Sequence, residues 1–374
     1  YFFNMKKYAI ELNDSLKEMT GWPQKVIDMQ KNWIGIIDGV NNSFKFNHFN
    51  LDIFNSIEEP STVLIGINHE FVKHFHDKPE FNQWFTENNK GSVSEKTTFN
   101  KKNWFETSYC VNFNNKIIPI YIDMNRDEEA IFVKDISSIN STIEVGSFVS
   151  STPHKFIGLK DWCISRQRYW GNPIPMISCD KCGDVPSEDN VKLPEELIPD
   201  GNGNILDKTP EFVNCKCPSC GGDAFRCTDT MDTFVQSSWY YQRYVNPNST
   251  NMIDNPAIQI DTYVGGIEHA TMHLIYTRFF HKMLRDFNIV STDEPIKKLI
   301  TQGMVCKKYE KPDGTIASAK MSKSLGNVVA PNEYIDKYGA DAIQMFIIFA
   351  APPTDNFDFE DAGIVGTFRF LDDI

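Results

Sequence analysis

Two Cys-x-x-Cys pairs constrain this chain more than any other feature: Cys179-Asp180-Lys181-Cys182 and Cys217-Pro218-Ser219-Cys220. Each pair fits a tight knuckle that aims two thiolates at one point, and two knuckles complete a tetrahedral Zn²⁺ site. Gly221 and Gly222 follow the second pair and let backbone amides turn toward the sulfurs. The expected ligands are Cys179, Cys182, Cys217 and Cys220. Cys215 competes for the place of Cys217, but only Cys217 gives the knuckle spacing. Cys163 and Cys227 read as ordinary buried thiols. Four thiolates leave no open coordination position, so the metal is structural and the chemistry lies elsewhere.

The cysteine count is odd, nine in all, and no signal-peptide pattern opens the chain. Both favour a reducing compartment and a metal over disulfides. Lys and Arg number 37 against 50 Asp and Glu, a net charge of −13. That balance does not suit a nucleic-acid surface spread over the whole chain, since phosphate contacts need cations; a local basic patch or further basic domains would be required. No stretch approaches the roughly 18–20 uncharged apolar residues that span a bilayer, so no membrane partner is expected. The first residue is Tyr1 rather than Met, and Phe368 to Ile374 read like the start of another helix. An internal piece of a longer chain is therefore expected.

Along the chain, Tyr8, Leu12, Leu16 and Met19 recur at helical spacing, Gly21-Trp22-Pro23 interrupts, and a second short helix follows through Val26, Ile27 and Met29. From about Gly35 to Pro153, Asn becomes frequent and short β-branched runs appear at Thr62–Ile67, Ile117–Ile122 and Ala130–Val133, the marks of a β-rich domain. After a polar segment between the two Cys pairs, apolar strands and helices alternate to about Ile300, an α/β pattern. Tyr334 to Ala350 has helical spacing, ended by Pro352-Pro353. There is no internal repeat.

Two further segments carry chemistry. In Tyr263-Val264-Gly265-Gly266-Ile267-Glu268-His269-Ala270-Thr271-Met272-His273, a strand, two glycines and a helical run allow a nucleotide to approach the backbone, with helix N–H groups aimed at it. His269 and His273 fall on one face. Plain core or surface histidines are the competing explanation; a zincin-type metal pair lacks its Glu. In Lys320-Met321-Ser322-Lys323-Ser324, two lysines and two hydroxyls share one loop, with Gly314, Ala317 and Ser318 before it to let it move. Such a clamp suits a pyrophosphate leaving group.

Lys320 to Ser324 is the KMSKS string of class I aminoacyl-tRNA synthetases, and Asp161 to Gly171 resembles the point where the leucyl, isoleucyl and valyl branch re-enters its catalytic domain. Asp261 to Leu284 and Met231 to Tyr241 resemble the leucyl family in particular. The fold class implied is α/β: the second half of a Rossmann-type catalytic core with an inserted β-rich domain and a zinc knuckle. In numbers, 1–35 would end the first catalytic half, 36–155 form a reduced editing insertion, 156–178 return to the core and 179–227 hold zinc. Residues 228–300 would complete the Rossmann fold, 301–330 carry the KMSKS loop, and 331–374 lead to a truncated anticodon-binding domain.

The resemblance implies a leucine–tRNA ligase that joins leucine to ATP, with Mg²⁺, and then passes it to tRNA(Leu). Gly265, Gly266, Glu268 and His269 would bind the ATP ribose and adenine, Lys320 and Lys323 would be the catalytic residues that stabilise its phosphates, and Met321 and Ser322 would belong to the same ATP site. Ser238, Tyr241, His269 and His273 would line the leucine pocket. A cytoplasmic monomer is expected, an organellar site being left open.

Two departures from the family matter. The HIGH motif would precede Tyr1, so the chain alone should not activate leucine. The insertion is short, and Phe54 to Thr62 replaces the threonine-rich T-T-R-P-D-T strand, so editing should be lost; a divergent site using Thr62 and Asp127 is the alternative. His69, His74 and His76 read as scattered surface histidines. The competing classes are an isoleucyl or valyl relative and a non-catalytic, zinc-stabilised RNA-binding or interaction module.

Overall fold

Ile260–Gly266, His273–Asp286 and Ile296–Gln302 form a strand, a crossover helix and a second strand parallel to the first. The helix buries Leu274, Ile275, Phe279, Phe280 and Leu284. Each contributes about 1.5–3 kcal/mol of apolar transfer. It stops because Asn288 takes a left-handed conformation, φ 59°. The Asn288 N–H then donates to Arg285 O at 2.8 Å and the Ile289 N–H to Leu284 O at 2.9 Å, which satisfies the last carbonyls.

This computed structural model describes residues 1–58, 60–88, 104–124, 126, 129–134, 144–188 and 190–374. Chain contacts divide it into one unit of Tyr1–Ile34 with Leu159–Ile374 and a second of Gly35–Gly158.

In the first unit the N-terminal segment docks on the parallel pair. Gly21 bridges to Lys298, and the Trp22 indole N–H donates to Ile296 O at 3.1 Å. A Cβ at Gly21 would meet Lys297 O at 2.3 Å, so no larger residue fits. Phe2–Phe3 pairs with Trp162–Cys163, and Trp162 stacks on Tyr276 with ring centroids 4.0 Å apart. Asp232 accepts from the Trp162 indole at 3.2 Å and pairs with Arg166, tying the re-entry segment to the residues before the pocket. Val305–Glu310 and Ile316–Lys320 form an antiparallel hairpin, joined by Phe357–Asp358.

The single helix expected over Tyr334 to Ala350 is two, Pro331–Tyr338 and Ala340–Ala350. Gly339, at φ 82°, breaks it in a conformation that a side chain would resist. These helices pack with Asp361–Asp372 around Ile343, Phe346 and Ile364.

The second unit is a closed barrel. Its strands among the described residues run in the order Ile36–Lys45, Asn50–Asn55, Ala130–Val133, Thr62–Gly66, Lys116–Asp123, Trp104–Phe113 and Glu144–Ile157, the last pairing with the first. Phe44, Ile53, Val63, Ile65, Phe71, Phe75, Ile120 and Phe132 fill it. Among the described residues the closure rests on one residue pair at the join of Asn50–Asn55 with Ala130–Val133, Phe54 with Ile131.

Candidate active site

The turn after Ile260–Gly266 sets the geometry. The chain does not enter the long helix directly after the glycines: a 3₁₀ turn, Ile267–His269, comes first, and the helix begins at His273. The rings of His269 and His273 nevertheless meet edge to face, with centroids 5.7 Å apart. A Cβ at Gly265 would meet nothing within 4 Å, leaving room for a ligand against the backbone. A Cβ at Gly266 would lie 2.2 Å from the Glu268 carboxylate, which folds back over it. That carboxyl is held below its usual range, first by its own backbone N–H and then by Lys320.

A cavity of about 340 Å³ opens beside this turn, lined by Phe234, Ser237, Tyr240, Tyr263, Gly265, Gly266, His269 and His273 among others. Its polar wall is a chain of hydrogen bonds: Tyr240 to Tyr263 hydroxyl at 2.6 Å, and Tyr263 hydroxyl to His273 Nε2 at 2.9 Å. Burial, helped by the neighbouring His269, pushes the His273 imidazole down to about 4, so it is neutral here. A pocket walled by apolar rings and a neutral polar chain suits a small apolar ligand with one polar end.

Four of the expected residues, Gly265, Gly266, His269 and His273, line this cavity, and the Glu268 carboxylate lies against one of them, Gly266. Ser238 and Tyr241 do not line it. Ser238 is fully buried and donates its hydroxyl to Phe234 O at 2.6 Å. Tyr241 turns inward to His281 Nδ1 at 3.0 Å. Their neighbours Ser237 and Tyr240 take the lining positions. The signal was present in the sequence: Phe234, Ser237 and Tyr240 are spaced by three, one face of a helical segment. Tyr263 had no such signal beyond its place before the glycines.

The signature loop reaches the Glu268 carboxylate. Lys320 ends its strand and its Nζ lies 3.2 Å from the Glu268 carboxylate. Both groups are largely exposed, so the pair is worth no more than about 1 kcal/mol and a phosphate can replace the carboxylate. Ser322 caps the 3₁₀ turn Lys323–Leu325 by accepting from the Ser324 N–H. Asn327 is buried and staples the loop to its hairpin, accepting from the Ser322 N–H at 2.8 Å and donating to Lys307 O and Ala319 O at 3.1 Å. The small residues Ala317 and Ser318, read as a source of movement, are held in the hairpin ladder; Gly314 sits at its tip, φ 80°.

Away from this pocket, the ligand atoms of Cys179, Cys182, Cys217 and Cys220 lie within 4.8 Å of one another. Two hairpins present them, in a sheet ordered Gly183–Pro186, Met176–Cys179, Asp223–Arg226, Asn214–Lys216. Cys215 stays apart, its sulfur 3.6 Å from Ala224 O. Burial alone would raise the Cys217 thiol, but backbone N–H groups of Cys220 and Ser219 outweigh it and bring it to about 7. Cys182 is pushed the other way, to about 12, chiefly by its contact with Cys220. Sulfurs this close cannot all carry charge without a cation, and the donor set fits a metal such as zinc.

In the second unit, Thr62 is completely buried in its strand, and Asp123 is buried beside Arg126 at 3.4 Å. Asp127 lies outside the described residues. Of the histidines read as scattered surface residues, His69 caps the 3₁₀ turn Glu70–Phe75, His74 stacks on Phe49 and His76 on Phe81.

A Rossmann-type βαβ unit whose glycine turn faces a KMSKS loop defines a class I synthetase core, and residues 121–360 match the family model of class I tRNA synthetases (I, L, M and V). The chain belongs to that family. Within it, the relatives matched include leucine–tRNA ligases: that of Thiobacillus denitrificans is 36% identical over 485 residues, covering 99% of this chain and 56% of the relative. That of Legionella pneumophila (strain Corby) is 36% identical over 447 residues, covering 99% and 53%. A crystal structure of the ternary complex of Agrobacterium radiobacter K84 agnB2 LeuRS with tRNA and LeuAMS superposes with a TM-score of 0.76 at 30% identity, covering 99% of this chain and 52% of that one. The chain thus spans about half the length of the relatives it matches. Among the described residues no helix is long and apolar enough to cross a membrane.

Proposed function

We propose that this chain forms the signature-loop half of a leucine–tRNA ligase, which activates leucine with ATP and transfers it to tRNA(Leu). The observation that carries this is one small, largely apolar pocket lined by Gly265, Gly266 and His269, with the Glu268 carboxylate folded against Gly266 and paired with Lys320 of the signature loop. Leucine would sit in the cavity, its side chain against Phe234 and its ammonium near the Tyr240–Tyr263–His273 chain. ATP would lie along Gly265 and Gly266, with Mg²⁺ accompanying its phosphates. The leucine carboxylate attacks the α-phosphorus and pyrophosphate leaves, so no protein nucleophile is needed; orientation and charge supply the rate. Lys320 exchanges the Glu268 carboxylate for phosphate oxygens, and Lys323, one turn on, shares the charge that grows on the leaving group.

Cys179, Cys182, Cys217 and Cys220 would hold one structural Zn²⁺, which fixes the two hairpins and takes no part in turnover. The proposed domain bounds are those of the sequence, with the barrel as a reduced editing insertion. Loss of editing is supported by the burial of Thr62 and by alignments of 485 and 447 residues, longer than the 374 of this chain. A cytoplasmic monomer belongs to the same proposal.

The test is acylation of tRNA(Leu) by the protein that carries this chain, at its full length, with leucine, isoleucine or valine. Charging with leucine and persistence of mischarged tRNA are expected. Charging with isoleucine in preference to leucine would refute the specificity, and rapid hydrolysis of mischarged tRNA would refute the loss of editing.

A further inference from the structure

One buried amide joins the turn beside the pocket to a cluster of charges behind it. Gln30, on the helix Gln24–Ile34, is completely buried. Its Nε2 donates to Ala270 O at 2.9 Å, and its Oε1 accepts from the Arg278 guanidinium at 2.7 Å. Ala270 immediately follows Glu268 and His269, is itself fully buried, and closes their turn by donating to Ile267 O at 3.0 Å. Arg278 is also fully buried and is fixed from its other side by Glu294, Leu12 O and Ser15, each at 2.8 Å.

We propose that Gln30 is a positioning residue: it anchors the Ile267–Ala270 turn to the Arg278 cluster, so that Glu268 and His269 stay aimed at the pocket. The inference rests on the functional reading above for its kinetic consequence, though not for its structural one. The chemistry demands an amide here. One end must accept from a guanidinium and the other must donate to a carbonyl, both out of reach of water. A carboxylate would keep the first contact and set an oxygen against Ala270 O. A methionine of similar length would leave a buried N–H and a buried carbonyl unpaired. Arg278 cannot adapt easily, because its Nε and Nη2 donors are committed to Glu294, Leu12 O and Ser15.

The test compares Gln30→Met and Gln30→Glu with Ser15→Ala, which removes a contact from the same cluster but none from the turn. In the full-length protein, both Gln30 variants should lower kcat for leucine-dependent pyrophosphate exchange by about tenfold or more, the scale of a small misplacement at a reacting centre. Ser15→Ala should keep the wild-type kcat. Gln30→Glu retains the Arg278 contact, so it should melt no lower than Gln30→Met yet be no more active; activity that simply tracks melting temperature would overturn the proposal. Amide hydrogen exchange across residues 267–272 reads the turn without turnover, and should quicken in the Gln30 variants alone. Unchanged exchange there overturns the proposal even in an active enzyme. A turn that quickens in the Gln30 variants of a protein whose wild type activates no amino acid would sink the functional reading and leave the anchor standing.

Discussion

Replacing Glu294 by Gln should loosen the first unit by several kcal/mol. Glu294 is the anion of a buried cluster: it receives two hydrogen bonds from Arg278 at 2.8 Å and faces Lys282 at 3.1 Å. Arg278 and Lys282 are essentially without solvent contact. Burial alone would raise the carboxyl, but Arg278 outweighs it, followed by Lys282 and Ser15, and holds it at about 2 against an ordinary value of 4.5. At 1.36 kcal/mol per unit, that depression corresponds to about 3 kcal/mol of stability. Removing one partner of a buried pair costs a similar amount, about 3–5 kcal/mol, because the other charge is stranded. Because the folded value lies below the unfolded one, the contribution is whole above pH 4.5 and is lost as pH falls toward 2. Hydrogen exchange of the amides of His273–Asp286, followed by mass spectrometry, isolates this region from the barrel. Glu294→Gln should cut their protection by a free energy of about 3 kcal/mol at neutral pH and abolish most of the acid dependence below pH 4.5. A loss under about 1 kcal/mol, or an unchanged acid dependence, would refute the reasoning.

Lys323→Ala and Lys320→Ala should each lower the rate of pyrophosphate exchange by about 10²–10³ while leaving the melting temperature unchanged, because neither side chain is buried; a loss under about tenfold would argue against the clamp. Cys217→Ser should abolish binding of zinc, measured by atomic emission as one ion per chain in the parent, and expose residues 176–226 to protease while sparing the barrel. Equal metal content in parent and variant contradicts the site. His273 and His281 are both pushed down to about 4, mainly by burial, from an ordinary 6.5. Their neutral forms therefore favour the fold above pH 6.5, and stability should fall as pH drops from 6.5 toward 4; NMR titration showing either ring protonated at pH 6 would refute this.

What the sequence disclosed follows from how locally each feature is encoded. The zinc knuckles and the signature loop are contiguous strings whose chemistry depends on spacing, and both were legible. The pocket is lined from separate segments, and where the resemblance implied Ser238 and Tyr241, their chain neighbours Ser237 and Tyr240 line the cavity. The Tyr263–His273 bond spans ten residues across a turn that no pattern encodes, and the Gln30 anchor joins residues 240 and 248 positions apart; neither left a periodic trace. In the barrel, the buried strand Thr62–Gly66 showed as an apolar run, whereas Glu144–Ile157 is mostly exposed and carries no such run. Gly339 was visible as a letter, but only its φ of 82° reveals that it divides a helix.

The most direct measurement is amino-acid-dependent exchange of pyrophosphate into ATP by the full-length protein that carries this chain, with leucine, isoleucine and valine offered separately. Exchange that depends on leucine and disappears in Lys323→Ala is the predicted result. Folded, zinc-loaded protein that exchanges pyrophosphate with none of the three would contradict the catalytic role of the Glu268–Lys320 pair and leave the chain a binding module on a synthetase fold.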